Sequence, residues 1–236
     1  MVSGKLGMAS FLILLINILP LALGAAISPT ALMGIIILLS ISNRPKLQGF
    51  GYYIGAIILI IIVVILGILL GAGITSVTPK PNPILDSIDI LLGIILFLAG
   101  IKRIFQAQKS PTRLFHGDDK SKSNLVFFIK GVSYGFGLFL INFSTSIIVL
   151  EAGKEIGASS VDLIGKLTVV IILTIITLLV CEVPLLMYFA YPEKANNILS
   201  KVNKWMQTNG HILMGVVILV IGVYLIWIGL IRLGFI

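Results

Sequence analysis

Residues able to do chemistry are scarce in this chain, and most of them stand inside apolar runs. Ser28-Pro29-Thr30 interrupts a run reaching from Met8 to about Leu39, and Asn142-Phe-Ser144-Thr145-Ser146 puts four hydroxyl or amide side chains within five residues of another. Glu182 is the one carboxylate read as lying well inside a third run. Hydroxyls and an amide hold and orient a ligand through hydrogen bonds, and no Ser-His-Asp set, metal-ligand cluster or phosphate-binding loop stands beside them. The pattern points to a binding site without a cofactor rather than to an enzyme. A carboxylate at membrane depth is costly, which makes Glu182 a candidate for loading and releasing a proton, with Pro184 two residues on able to open the nearby helical ladder. The competing reading has Glu182 bonded to a Ser or Thr on a neighbouring span, or snorkelling to the interface.

Composition sets the solvent. Of 236 residues, 58% are hydrophobic and 11% charged, whereas soluble domains carry about 25% charged residues. Several apolar stretches are long enough to cross a hydrocarbon core of about 30 Å, and no room remains for a soluble domain. The net charge of +8 comes from basic residues in short loops, which the positive-inside rule explains without nucleic acid. Cys181 is the only cysteine, so the chain forms no internal disulfide. His116 and His211 lack ligand partners at metal-binding spacing and read as solvated or interfacial. A cleaved signal peptide is not expected, because the apolar character continues through Ile35 to Leu39.

The elements follow from these runs. One helix from Met8 to Leu39 would be about 48 Å long, more than the bilayer core. Pro29 lacks an amide proton and disfavours helix at Ser28, so the ladder should open near Gly24 to Ser28. Non-helical backbone at that depth must be buried in protein or line a wet cavity, as in discontinuous transporter helices; a kink with nothing bound is the alternative. A second span reaches from Gly49 to Gly73, with Gly51, Gly55, Gly67 and Gly71 spaced for close helix packing. A proline-rich turn over 78–83 leads to a third span over 84–105, ending on Lys102 and Arg103 as interfacial anchors. A polar linker over 106–124 precedes a fourth span from Val126 to Leu150. The serines and threonine of that span face other helices or water, or bond back to their own carbonyls. Glu151 to Asp162 reads as a mixed-charge loop, and a fifth span covers 163–190. Ile198, Leu199, Val202, Trp205 and Met206 then make an amphipathic interfacial helix of 192–209, ahead of a sixth span over 211–233.

The third and sixth spans match. Leu92-Gly93 through Gly100 to Arg103 lies over Ile221-Gly222 through Gly229 to Arg232, and the two polar-centred spans each open a group of three. Residues 1–105 and 125–236 therefore read as two three-helix repeats joined by 106–124. Three is odd, so homologous halves must insert in opposite senses, the inverted-repeat plan of many transporters. The expected fold is all-α, with six transmembrane helices, the first discontinuous and the fourth either broken or whole. Twelve of the seventeen basic residues follow spans one, three and five, which places those loops in the cytoplasm and both termini outside.

Asn17-Ile-Leu-Pro through Ser28-Pro29, and Glu182-Val-Pro-Leu through Pro192-Glu-Lys-Ala195 to Trp205-Met206, Gly222 and Gly229, resemble the GAP family of peptidoglycolipid-addressing, Sap-like proteins of the LysE transporter superfamily. The resemblance covers nearly the whole chain. It implies a cell-membrane protein that carries glycolipids to the cell surface, in some cases beside a larger lipid exporter. Where the family reads Asn-Pro-Lys, this chain has Asn142-Phe143-Ser144, so Asn142 carries over and the second proline does not. Thiol transporters of the same superfamily need a cysteine in each half, where this chain has Ser28-Pro29 and Asn142 to Ser146; electron transfer by that route is excluded.

Two functions remain. One is a secondary transporter, exporting a small solute or (glyco)lipid through a site of Ser28, Pro29, Thr30, Asn142, Ser144, Thr145 and Ser146, with Glu182 coupling it to protons. The other is a membrane scaffold assisting a larger lipid exporter, in which the polar centre stays packed and dry. The partners expected are the bilayer, a small-molecule or lipid substrate, a larger lipid exporter and a second copy of the chain as a homodimer.

Overall fold

The computed structural model describes residues 2–75, 83–105 and 123–235. They form α1 (Val2–Ala26), α2 (Pro29–Ile41), α3 (Pro45–Thr75), α4 (Pro83–Phe105), α5 (Asn124–Ile141), α6 (Phe143–Ala158), α7 (Leu163–Ala190) and α8 (Pro192–Arg232), with no strand among the described residues. Almost all of the linker over 106–124, His116 included, and most of the turn over 78–83 lie outside the described residues. Stretches in α1, α3, α5, α7 and α8 are long and apolar enough to cross a membrane, and α2 is a shorter apolar piece. Exposed Ile62, Leu69, Ile171 and Leu186 give α3 and α7 the apolar outer faces that lipid requires. The chain is a multi-pass membrane protein. Among the expected spans, α4 alone is missing from the apolar set.

Two of the runs are broken. At the first, Ile27 and Ser28 are non-helical: their amides bond to Gly24 and Ala26 at 3.3 and 3.0 Å, and Pro29 then starts α2 with its amide proton absent where none is needed. Pro20 lies inside α1 without ending it. At the second, Asn142 stands between α5 and α6 with φ −78° and ψ 67°, although no proline is present.

Three expected boundaries are corrected. The loop expected over Glu151 to Asp162 is mostly helix, since α6 runs to Ala158 and carries Glu151, Lys154 and Glu155 on its last turns. Pro184 sits within α7 and does not interrupt it. The interfacial helix expected over 192–209 and the sixth span are one helix of 41 residues, about 60 Å long. The apolar stripe of its first half is divided: Leu199 and Met206 are buried, and Met206 packs with Met33 and Ile37 of α2, whereas Ile198 and Trp205 are exposed. Neighbouring protein thus takes up much of the surface that an interfacial helix would give to lipid.

Glycines set the closest approaches. Gly51 and Gly55 of α3 meet Gly131 and Gly135 of α5, and Gly67 and Gly71 meet Gly153 and Gly157 of α6, so α3 runs parallel to the α5–α6 pair along its whole length. A Cβ at Gly55 would collide with the Val132 carbonyl, and one at Gly135 with the Tyr52 carbonyl. Along α4 and α8 the order reverses, Gly93 lying on Gly222 and Gly100 on Gly215, which makes that pair antiparallel.

Candidate functional site

The two breaks lie against each other. Asn142 Nδ2 donates to Ser28 Oγ at 2.5 Å and to Thr145 Oγ1 at 2.8 Å, using both amide protons, while Oδ1 accepts from Ser144 Oγ at 3.3 Å. Ser28 Oγ also accepts from the Ala31 amide at 3.2 Å and so caps the start of α2. Asn142 exchanges helical geometry for these side-chain bonds, which is how an asparagine ends a helix without a proline. Ser28, Asn142, Thr145 and Ser144 are all buried, the most open of them, Ser144, only 5% exposed.

A cation reaches the same point. Arg103, from the last turn of α4, places Nη2 at 3.1 Å from Thr30 Oγ1 and Nη1 at 3.5 Å from Ser144 Oγ. Thr30 and Ser144 lie in the first turns of α2 and α6, so two helix N-termini and a guanidinium converge. Each helix start carries roughly half a positive charge, which together with Arg103 favours an anionic ligand. The position of Arg103 corrects its reading as an interfacial anchor; Lys102 beside it is exposed, as an anchor should be. The signal was in the sequence, since the arginine recurs at the same place in the matching segment as Arg232.

The other expected site residues divide. Pro29 is buried at the first position of α2. Ser146 Oγ bonds at 3.3 Å to the Phe139 carbonyl, one of the acceptors that the break leaves at the end of α5, and so repairs the backbone. Tyr52, absent from the sequence reading, is fully buried on α3 and donates at 3.0 Å to the Ala31 carbonyl, pinning the first turn of α2. Glu182 is half-buried and accepts from the Tyr53 hydroxyl at 2.7 Å, a partner on α3 rather than a serine or threonine.

Nor is Glu182 the only carboxylate deep in a helix. Asp89 of α4 and Glu151 of α6 are both buried. Lys154 pairs with Asp89 and, at 2.9 Å, with Glu151; Arg232 of α8 pairs with Asp89 at 3.2 Å and Glu155 at 2.9 Å. Oxygens of Asp89, Glu151 and Glu155 lie within 4.8 Å of one another, a spacing that suits a metal ion. Lys154 and Arg232 already supply positive charge between them, so the cluster reads as an ion-pair network tying α4, α6 and α8 at one end of the bundle.

The family model for Sap, the sulfolipid-1-addressing protein, matches residues 18–231. The chain belongs to this family. The match spans both breaks, Arg103 and Glu182, so every residue at the crossing lies inside the family region of the sulfolipid-1-addressing proteins. No curated protein and no solved structure matches the chain.

Proposed function

We propose that this sulfolipid-1-addressing family member is a secondary transporter that exports an anionic amphiphile, with its binding site where the two broken helices cross. The observation that carries this reading is Arg103, whose guanidinium reaches Thr30 and Ser144 at the N-termini of α2 and α6. Six crossings in two inverted halves suit this role, and with it a place in the LysE superfamily. In support, the breaks occupy corresponding places, and the matching glycines Gly93 and Gly222 meet each other, as residues related by a pseudo-two-fold axis would. The basic loops lie in the cytoplasm and both termini outside. Binding and passage need no bond chemistry, so the reading assigns no enzymatic step.

The second reading is a scaffold for a larger lipid exporter. What favours it is the burial of Ser28, Asn142, Ser144 and Thr145, a polar centre closed on itself. Flux separates the two. Purified protein in vesicles, given fluorescent anionic and zwitterionic lipids on one face, should move the anionic lipid in preference, and Arg103→Gln should remove the preference. Vesicles with no protein-dependent movement of either lipid would contradict the transporter.

A further inference from the structure

At the end of the bundle that carries Arg44 and Lys46, well away from the ion-pair network, a cavity of about 530 Å³ opens among four helices. It is lined by Arg44 and the first residues of α3, by Asn124 at the start of α5, by Tyr188 near the end of α7 and by Pro192 at the start of α8. No carboxylate is among the described lining residues. Both cations are held in place by aromatic faces: the Arg44 guanidinium lies 5.7 Å from the Phe127 ring centre and Lys46 Nζ 5.5 Å from that of Phe189. Arg44 also bonds to the Asn124 side chain.

Positive charge predominates among the described residues of this cavity, against the negative dipole end that the last turn of α7 brings. Two cations line it, and three helices begin at it; neither Ser123 before α5 nor Tyr191 before α8 caps its helix with a side-chain bond. The volume falls within the range of small-molecule sites, about 300–1,000 Å³, and exceeds what a bare ion fills. Phe189, beside Lys46, and Leu125, next to Asn124, are exposed apolar side chains that suit acyl chains running down the lipid-facing surface. Basic pockets between membrane helices take phosphorylated headgroups for these reasons.

We propose that this cavity is a binding site for an anionic lipid headgroup bearing a phosphate or sulfate, distinct from the crossing of the breaks. The inference needs the chain to sit in a bilayer but not to transport, so a negative flux result leaves it standing. Arg44 and Lys46 hold the anionic oxygens, the starts of α5 and α8 add amide donors, and the apolar rim takes the chains.

Purified full-length protein in neutral detergent, titrated with fluorescent phosphatidylglycerol against phosphatidylcholine, tests it. Wild type should prefer phosphatidylglycerol about tenfold or more, and rising salt should weaken that preference. Arg44→Gln and Lys46→Gln should each lower the affinity about fivefold, the worth of one basic residue at an anionic surface. Lys201→Gln, on the exposed face of α8, should leave it unchanged, and the charge-preserving Lys46→Arg should retain binding even if the neutral variants fold poorly. Equal affinity for the two lipids, or undiminished binding in well-folded Arg44→Gln and Lys46→Gln, would overturn the proposal. Competition by inorganic phosphate or sulfate as effective as that by the lipid would make the cavity a free-anion site and overturn the lipid assignment.

Discussion

Asn142 Nδ2 and Ser28 Oγ, 114 residues apart in sequence, are 2.5 Å apart in the fold, so each broken helix closes its break on the other. Neither gap is bridged by its own strand of chain alone. Losing one partner leaves a buried polar group unsatisfied, at a cost of about 1–3 kcal/mol. Asn142→Ala and Ser28→Ala should each destabilise the protein by that amount. Because they share one bond, the double variant should lose less than the sum, with a coupling of about 1 kcal/mol or more in unfolding from mild detergent. Strict additivity would mean that the two breaks are held independently.

The ion-pair network should resist single changes more than double ones. Asp89→Asn removes a partner that Lys154 and Arg232 share but leaves Lys154 paired with Glu151 and Arg232 with Glu155, so it should cost about 1–3 kcal/mol. Asp89→Asn combined with Lys154→Met also takes from buried Glu151 the cation it pairs with, and should cost more, about 3–5 kcal/mol. Thermal unfolding in detergent reads both, and a harmless Asp89→Asn would remove the network from the account of how α4, α6 and α8 are joined.

Close helix approach makes a third prediction. Gly55→Leu and Gly93→Leu push a side chain against backbone of the facing helix, at Val132 and Gly222 respectively. Each should destabilise by about 1–3 kcal/mol, the usual cost of overpacking, or more, because backbone yields less than a side chain. Gly73→Leu, where a Cβ meets nothing within 4 Å, should be tolerated. Unfolding of the three variants in one detergent makes the comparison.

Glu182 and Tyr53 give a functional prediction. If flux is proton-coupled, Glu182→Gln keeps shape and hydrogen bonding but removes the titration, and should abolish the dependence of flux on the pH gradient while the protein stays folded. Tyr53→Phe removes the hydroxyl that Glu182 accepts from and should alter that dependence without removing it. PH-dependent flux unchanged in Glu182→Gln would take the carboxylate out of the mechanism.

What the sequence could disclose depended on whether the cause was local. Ser28-Pro29 revealed its break because proline disrupts the ladder wherever it stands. Asn142 was ambiguous: its break depends on Ser28 in the other half of the chain, which no local pattern contains. Arg103 was misread because a Lys-Arg pair ending an apolar helix has the composition of an interfacial anchor, and only packing of α4 on α8 decides how deep its end lies. Glu151, Lys154 and Glu155 looked like a loop since their charge is satisfied by Asp89 and Arg232, more than sixty residues away in either direction. The stripe of Leu199 and Met206 was legible as a face, but not that α2 would cover part of it. Leu199→Asp should therefore harm folding more than Trp205→Asp, whose side chain is exposed; an interfacial helix with both side chains in lipid would make the two effects comparable.

Accessibility of the crossing tests the central claim most directly, because it needs no knowledge of the substrate. In a Cys181→Ser background, a single cysteine at Ser144 or Thr30 can be exposed to membrane-impermeant thiol reagents from one face of sealed vesicles and then from the other. A transporter whose site lies where the broken helices cross predicts modification from both faces, with bound anionic lipid slowing it on each. A cysteine that stays unreactive from both faces, or reacts from only one under every condition, would contradict alternating access and leave the scaffold reading in its place.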